Sequence, residues 1–164
     1  MHLKAASKQL DRFIVHCKKS GLKITPQRCS VYKHLLRSKS HPTAEETYQV
    51  VKKEYPNISY DTVNRTLLTL AEIGLADIVQ TKGGGRRFDL ASDEHHHFQC
   101  LECGKIIDFS DRHYDDLKVP ESIRKRHTVF TKRVVLSGLC RECRNSKGAT
   151  AKIHNAFKLK GDKK

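Results

Sequence analysis

Residues Ser59–Leu90 read SYDTVNRTLLTLAEIGLADIVQTKGGGRRFDL. A helix starting at Ser59 places Val63, Leu67 and Leu70 on one face, and Gly74 ends it. LADIVQ and RRFDL then form two short extended runs around the glycine-rich TKGGG, the pattern of a β-hairpin. A helix running into such a hairpin predicts a winged helix-turn-helix. Tyr60–Ile73 is its recognition helix and Leu75–Leu90 its wing.

Upstream, the same reading continues. Thr25 and Pro26 in TPQRCSVYKHLLRS are a strong helix start, because proline suits the first helical position. Thr43 and Glu46 in TAEE have capping-box spacing, and Ala44, Tyr48, Val51 and Tyr55 recur as one buried stripe. A moderately amphipathic helix is expected over Ser7–Lys19.

On the recognition helix, the face opposite the apolar stripe carries Asp61 and Arg65, flanked by Asn64. An arginine can bind guanine through two hydrogen bonds, and an asparagine can do the same with adenine. Tyr60 and Thr62, in the first turn, are placed for a phosphate or a thymine methyl. Lys82, Arg86 and Arg87 of the wing are candidates for phosphates. A solvated helix face would show the same composition, so these residues gain weight from their setting. The formal charge of +14, from 32 basic and 18 acidic residues, is consistent with a polyanionic partner.

From His95 the period changes. HHHFQC, GKIIDF and TVFTKRVVLSGLC read as strands, with a helical piece around Asp111–Arg126 that Pro120 divides. The fold class is therefore α+β, an N-terminal winged helix-turn-helix domain followed by a C-terminal α+β domain. The boundaries are 1–90 for the first, 91–94 (ASDE) for a hinge and 95–143 for the second. Residues 144–164 form a basic tail, expected to be mobile with a marginal helix near Ile153–Leu159. No run approaches the ~20 apolar residues of a bilayer span, and the N-terminus lacks a signal peptide's apolar core. A cytoplasmic location without membrane attachment is expected.

Four of the six cysteines form two Cys-x-x-Cys pairs, Cys100/Cys103 and Cys140/Cys143. Such a spacer lets both sulfurs of a pair face one ion, and four thiolates suit tetrahedral zinc. The ion would clamp the start of the second domain to its last strand, as a structural staple without an open position. Redox-active dithiols or an iron–sulfur cluster are the competing readings. Cys17 and Cys29, within helix-like segments, read as small buried apolar residues.

His95, His96 and His97 are consecutive. In a strand, successive side chains alternate faces, so His95 and His97 share one side while His96 points away. Two imidazoles on one face are a partial metal site.

Taken together and in order, GLKITPQR, HPTAEETY, ISYDTVNRTLLTLAEIGL, RRFDL, HHHFQCLECGKIIDF and CREC resemble the ferric uptake regulator family of metal-dependent repressors. The match runs from about Gly21 to Cys143. The resemblance implies a homodimer that pairs through the second domain and binds a double-stranded DNA operator. It also implies a regulatory metal site at His41, Asp89, His95, His97 and Asp108, a donor set suited to Fe(II), Mn(II) or Zn(II). The iron-sensing branch generally has glutamate where Asp108 stands, so the chain resembles the peroxide-sensing branch more closely. There Fe(II) reduces peroxide and a ligand imidazole is oxidised, at positions matching His41 and His95. A further metal site of some relatives would need Glu94, His96, Asp115 and the place held by Lys132, and lysine is no ligand. The family's usual TVYR appears here as TVNR, with Asn64 replacing a tyrosine.

The expected function is a metal-dependent repressor that peroxide releases from DNA, not an enzyme. The alternatives are an iron- or zinc-responsive uptake regulator of the same family, a non-haem iron enzyme, and a zinc-stapled architectural DNA binder. No separate substrate-binding motif supports the enzyme.

Overall fold

In the computed structural model, which describes residues 2–38, 40–80, 85–90, 95–129 and 131–146, the chain opens with helices. These are α1 (His2–Lys19), α2 (Pro26–Arg37), α3 (Ala44–Glu54) and α4 (Tyr60–Glu72). A hairpin of β1 (Ala76–Gln80) and β2 (Arg86–Leu90) follows. The chain divides into two compact units, Met1–Ser92 and Asp93–Lys164.

Local chemistry sets the helix ends of the first unit. Thr25 Oγ1 accepts from the Arg28 amide at 3.3 Å, with Pro26 at the first helical position. Thr43 and Glu46 close the capping box, with Glu46 N to Thr43 Oγ1 at 3.1 Å and Thr43 N to Glu46 Oε2 at 2.7 Å. Ser59 Oγ caps α4 by accepting from Thr62 N at 3.1 Å. Each such cap contributes about 1 kcal/mol. At the other end of α4, Gly74 takes φ +73°. Gly74 N then donates to Ala71 O at 3.1 Å and Leu75 N to Leu70 O at 2.8 Å, which turns Leu75 into the core.

Val63, Leu67 and Leu70 are fully buried and join Val31, Leu35, Val51 and Phe88 in one apolar cluster. Phe13 of α1 stacks on Tyr32 of α2, ring centroids 4.7 Å apart. Two expectations change in detail. Helix α1 begins at His2, five residues before the expected Ser7. The buried stripe of α3 is Ala44, Thr47 and Val51, with Tyr48 and Tyr55 half-buried. Thr47 tolerates burial because its hydroxyl donates to Thr43 O at 2.9 Å.

Strands β1 and β2 pair antiparallel from Ala76↔Leu90 to Gln80↔Arg86. The segment before α3 lies along β2: Phe88 N donates to Pro42 O at 2.9 Å, and Thr43 bridges Arg87. The tip of the expected wing, with Lys82, lies outside the described residues, as do the expected hinge 91–94 and the tail beyond residue 146.

The second unit contains β3 (His96–Cys100), β4 (Ile106–Phe109), the short helices α5 (Arg112–Asp115) and α6 (Glu121–Arg124), β5 (Val135–Gly138) and α7 (Arg141–Asn145). Its sheet has the order β4-β3-β5, with β4 antiparallel and β5 parallel to β3. Pro120 caps α6, where a division was expected. The strand expected over TVFTKRVVLSGLC shortens to Val135–Gly138. Its ladder stops there because the Val134 amide goes to the His96 ring, Nδ1 at 3.3 Å, instead of a neighbouring carbonyl. Among the described residues, the apolar side chains buried in this unit are only Cys100, Ile106 and Cys140.

Candidate metal centres and nucleic-acid interface

The four paired cysteines meet in the second unit. Cys100 ends β3, Cys103 lies in the following turn, Cys140 caps α7 and Cys143 lies within it. The parallel register sets Gly138 beside Cys100, so the second pair begins just past the sheet. All four sulfurs lie within 4.8 Å of one another, and Cys103 and Cys140 sulfurs are 3.8 Å apart. Sulfurs at tetrahedral corners about 2.3 Å from one zinc ion would be separated by about 3.8 Å.

The electrostatics agree with this geometry. Burial pushes the Cys100 thiol up, but backbone amides, Cys140 first, aim at its sulfur and bring it down to about 6. The Cys140 amide stands 3.3 Å from that sulfur. Neighbouring thiols, Cys140 first, push Cys143 up to about 12. One thiolate is therefore easily formed, while further negative charge in so small a volume calls for a cation.

The expected regulatory ligands fall into two groups, one in each unit. In the first unit, His41 is 3% exposed, with its Nε2 3.7 Å from Asp89 Oδ1. In the second, His95 Nε2 and His97 Nε2 are 3.1 Å apart. Asp108 Oδ1 stands 3.5 Å from His97 Nε2 and 4.0 Å from His95 Nε2. Two nitrogens about 2.1 Å from one ion lie about 3.0 Å apart at a right angle and about 3.4 Å apart at the tetrahedral angle. The observed spacing also suits an N–H···N hydrogen bond. The carboxylate beside both rings favours a shared cation, and the donor set fits Fe(II), Mn(II) or Zn(II).

His96 points the other way, as alternation requires. Its ring packs against Phe109 and Tyr114, centroids 5.4 and 5.6 Å away. Because Nδ1 accepts from Val134 N, the neutral ring carries its proton on Nε2, which faces Asp115 Oδ1 at 3.1 Å. The Lys132 ammonium donates to the main-chain carbonyls of Asp115 and Leu117. A tethered cation thus occupies the neighbourhood where a further metal ligand would be needed. Glu94 lies outside the described residues.

At the start of α4, Tyr60, Asp61, Thr62 and Arg65 are exposed and Asn64 is half-buried. Arg65 Nε pairs with Asp61 Oδ2 at 3.2 Å, one turn away. Tyr60 stands edge-on to Tyr48, centroids 6.0 Å apart, and Lys52 Nζ lies 5.2 Å from the Tyr48 ring. Lys52 belongs to this basic and aromatic corner, although the sequence reading left it out. Arg86 is exposed at the start of β2.

Arg87, a candidate for phosphates, also has partners inside the first unit. Its Nη1 donates to His41 O at 2.9 Å and to Glu46 Oε2 at 3.2 Å, so this guanidinium nitrogen is engaged within the unit. Nothing in the local sequence pattern signals this, since 46 positions separate the two ends of the first bond.

The model of the ferric uptake regulator family matches residues 19–137. The peroxide-responsive repressor PerR of Staphylococcus epidermidis is 35% identical over 145 residues, covering 87% of this chain and 95% of that one. Among solved structures, the ferric uptake regulator Fur of Helicobacter pylori, described as having three functional metal-binding sites, superimposes with a TM-score of 0.69 at 30% identity, covering 87% of this chain and 95% of that one. The ferric uptake regulator of Pseudomonas aeruginosa with manganese gives a TM-score of 0.61 at 26% identity, with 76% and 95% covered.

Proposed function

The chain belongs to the ferric uptake regulator family, and from that premise we propose that it is a homodimeric, metal-dependent transcriptional repressor that senses peroxide. The observation that carries the reading is the convergence of His95 and His97 nitrogens, 3.1 Å apart, beside Asp108. Asp108, in place of the glutamate of iron sensors, and the resemblance to peroxide-responsive repressors favour the peroxide branch.

In this reading Cys100, Cys103, Cys140 and Cys143 hold a structural zinc ion. His41 and Asp89 share a regulatory ion with His95, His97 and Asp108, which fixes the angle between the two units. In a two-fold dimer that angle sets the separation of two α4 helices, and successive major grooves lie roughly 34 Å apart. Only the DNA-competent arrangement gathers all five side chains, so binding shifts the population toward it. Fe(II), when bound, would supply the one-electron chemistry that cleaves the O–O bond of peroxide. In the net reaction one peroxide oxygen replaces hydrogen on a ring carbon of His41 or His95, the other leaves as water, and the imidazole is the group oxidised. A modified imidazole no longer ligates, and the operator is released. The exposed apolar side chains Ile107, Val135 and Leu136 of the second unit suit pairing with a second copy.

The test is mass spectrometry of peptides after peroxide treatment, with operator binding measured in parallel. One added oxygen on the peptide of His41 or His95 is expected with Fe(II) and none with Mn(II), with DNA released only in the first case. An unmodified peptide with DNA binding unchanged would assign the chain to iron or zinc response instead, a reading to which the likeness to the Helicobacter pylori regulator lends support.

A further inference from the structure

His41, proposed above as a ligand, is the one non-glycine residue with a positive φ among the described residues, at +49°. An L side chain seldom adopts this region, and it persists only where the surroundings hold it. Those surroundings are visible. Thr43 bridges Arg87, and Phe88 N donates to Pro42 O at 2.9 Å, so β2 grips the chain on the far side of the turn. Arg87 Nη1 donates to the carbonyl of His41 itself at 2.9 Å. The same nitrogen donates to Glu46 Oε2 at 3.2 Å, and that oxygen also accepts from Thr43 N at 2.7 Å.

Strand alternation explains why Arg87 is the residue that does this. Phe88 is fully buried on one face of β2, so Arg87 and Asp89 leave the strand on the other. One faces the His41 carbonyl and the next faces its imidazole, Asp89 Oδ1 being 3.7 Å from Nε2. The α3 cap, the turn and the strand are therefore tied at one guanidinium.

We infer that Arg87 is a positioning residue for the regulatory metal: its guanidinium, held by Glu46, fixes the left-handed turn that aims His41 beside Asp89. The inference rests on the proposed ligand role of His41. It removes Arg87 from the phosphate-binding set and gives the capping glutamate of α3 a second task. Losing a group that orients a metal ligand typically weakens the metal about 10–100-fold.

The experiment is a Mn(II) titration of the zinc-loaded, full-length protein without DNA, comparing wild type with Arg87→Gln, Glu46→Gln and His41→Ala. Glu46→Gln keeps an oxygen for the Thr43 cap, so the idea stays testable even if Arg87→Gln folds poorly. Mn(II) affinity should fall at least about tenfold in Arg87→Gln and by a smaller factor in Glu46→Gln. At saturating Mn(II), the operator affinity of Arg87→Gln should return to the wild-type value with an unchanged salt slope. Wild-type Mn(II) affinity in both variants, with His41→Ala impaired, would overturn the inference and leave the metal reading intact. A salt slope reduced by about one at saturating Mn(II) would restore Arg87 to the phosphates and overturn it equally. Wild-type affinity in His41→Ala would bring down both.

Discussion

The amide of Asn64 sits on α4 one position before Arg65, whose guanidinium is already steered by Asp61 at 3.2 Å. Both partners of that ion pair are exposed, 80% and 72% by side chain, so the pair adds little to stability and its use is orientation. An asparagine reads adenine through two hydrogen bonds, which discriminates by about 1–3 kcal/mol. Asn64→Ala should therefore weaken operator binding about tenfold, leaving affinity for unrelated duplex unchanged; competition titrations measure both. Equal losses on the two DNAs would mean that Asn64 touches backbone and not bases. At this scale the sequence was informative wherever one regular element carried the whole relation. His95 and His97 on one face, with His96 on the other, follow from strand alternation alone. Arg87 could not be read in the same way, because its partners His41 and Glu46 come from a loop and a helix far away along the chain.

Helix α2 shows how an element's packing carries a pH dependence. Burial lowers the pKa of His34, outweighing the opposing charge of Glu46, and its buried Nε2 has no hydrogen-bond partner among the described residues. The folded state thus keeps this imidazole neutral, while the unfolded chain protonates it near the ordinary histidine value of about 6.5. The unfolded state binds more protons, so this contribution is intact above that value and is lost as pH falls through it. Replacing His34 with Phe should flatten the acid side of the stability curve, as read from denaturant midpoints between neutral and mildly acidic pH. An acid limb as steep as wild type would place the titration elsewhere. Helix starts at Thr25, Thr43 and Ser59 were legible because caps are local hydrogen bonds. The short β5 was not, because a side chain from a neighbouring strand, His96, takes the amide that would have continued the ladder.

The two units differ in what holds them. The first has an apolar cluster running from Phe13 to Phe88. The second buries few apolar side chains among its described residues, and two of these, Cys100 and Cys140, belong to the sulfur cluster. A unit so poor in core depends on a cross-link, which bound zinc would supply as folding free energy. Cys103→Ser should thus abolish zinc retention and dimerisation while the helical signal of the first unit survives and melts in a transition of its own. A single cooperative loss of both units would show that the zinc supports the whole chain. A mild chelator should remove the regulatory ion and specific DNA binding together, leaving one zinc per protomer. DNA binding that persists after this treatment would favour an architectural role.

By itself the sequence determined the order of elements, the α+β class, the cysteine quartet and the pair of inward imidazoles. Each depends on spacing along one chain segment, where helical or strand period converts position into direction. Tertiary structure alone decided how close the four sulfurs come, that the Lys132 ammonium is tied to the main-chain carbonyls of Asp115 and Leu117, and that Arg87 serves the His41 turn. Those are contacts between segments distant in sequence, whose separation depends on how side chains pack and hydrogen-bond, and no period along the chain encodes it.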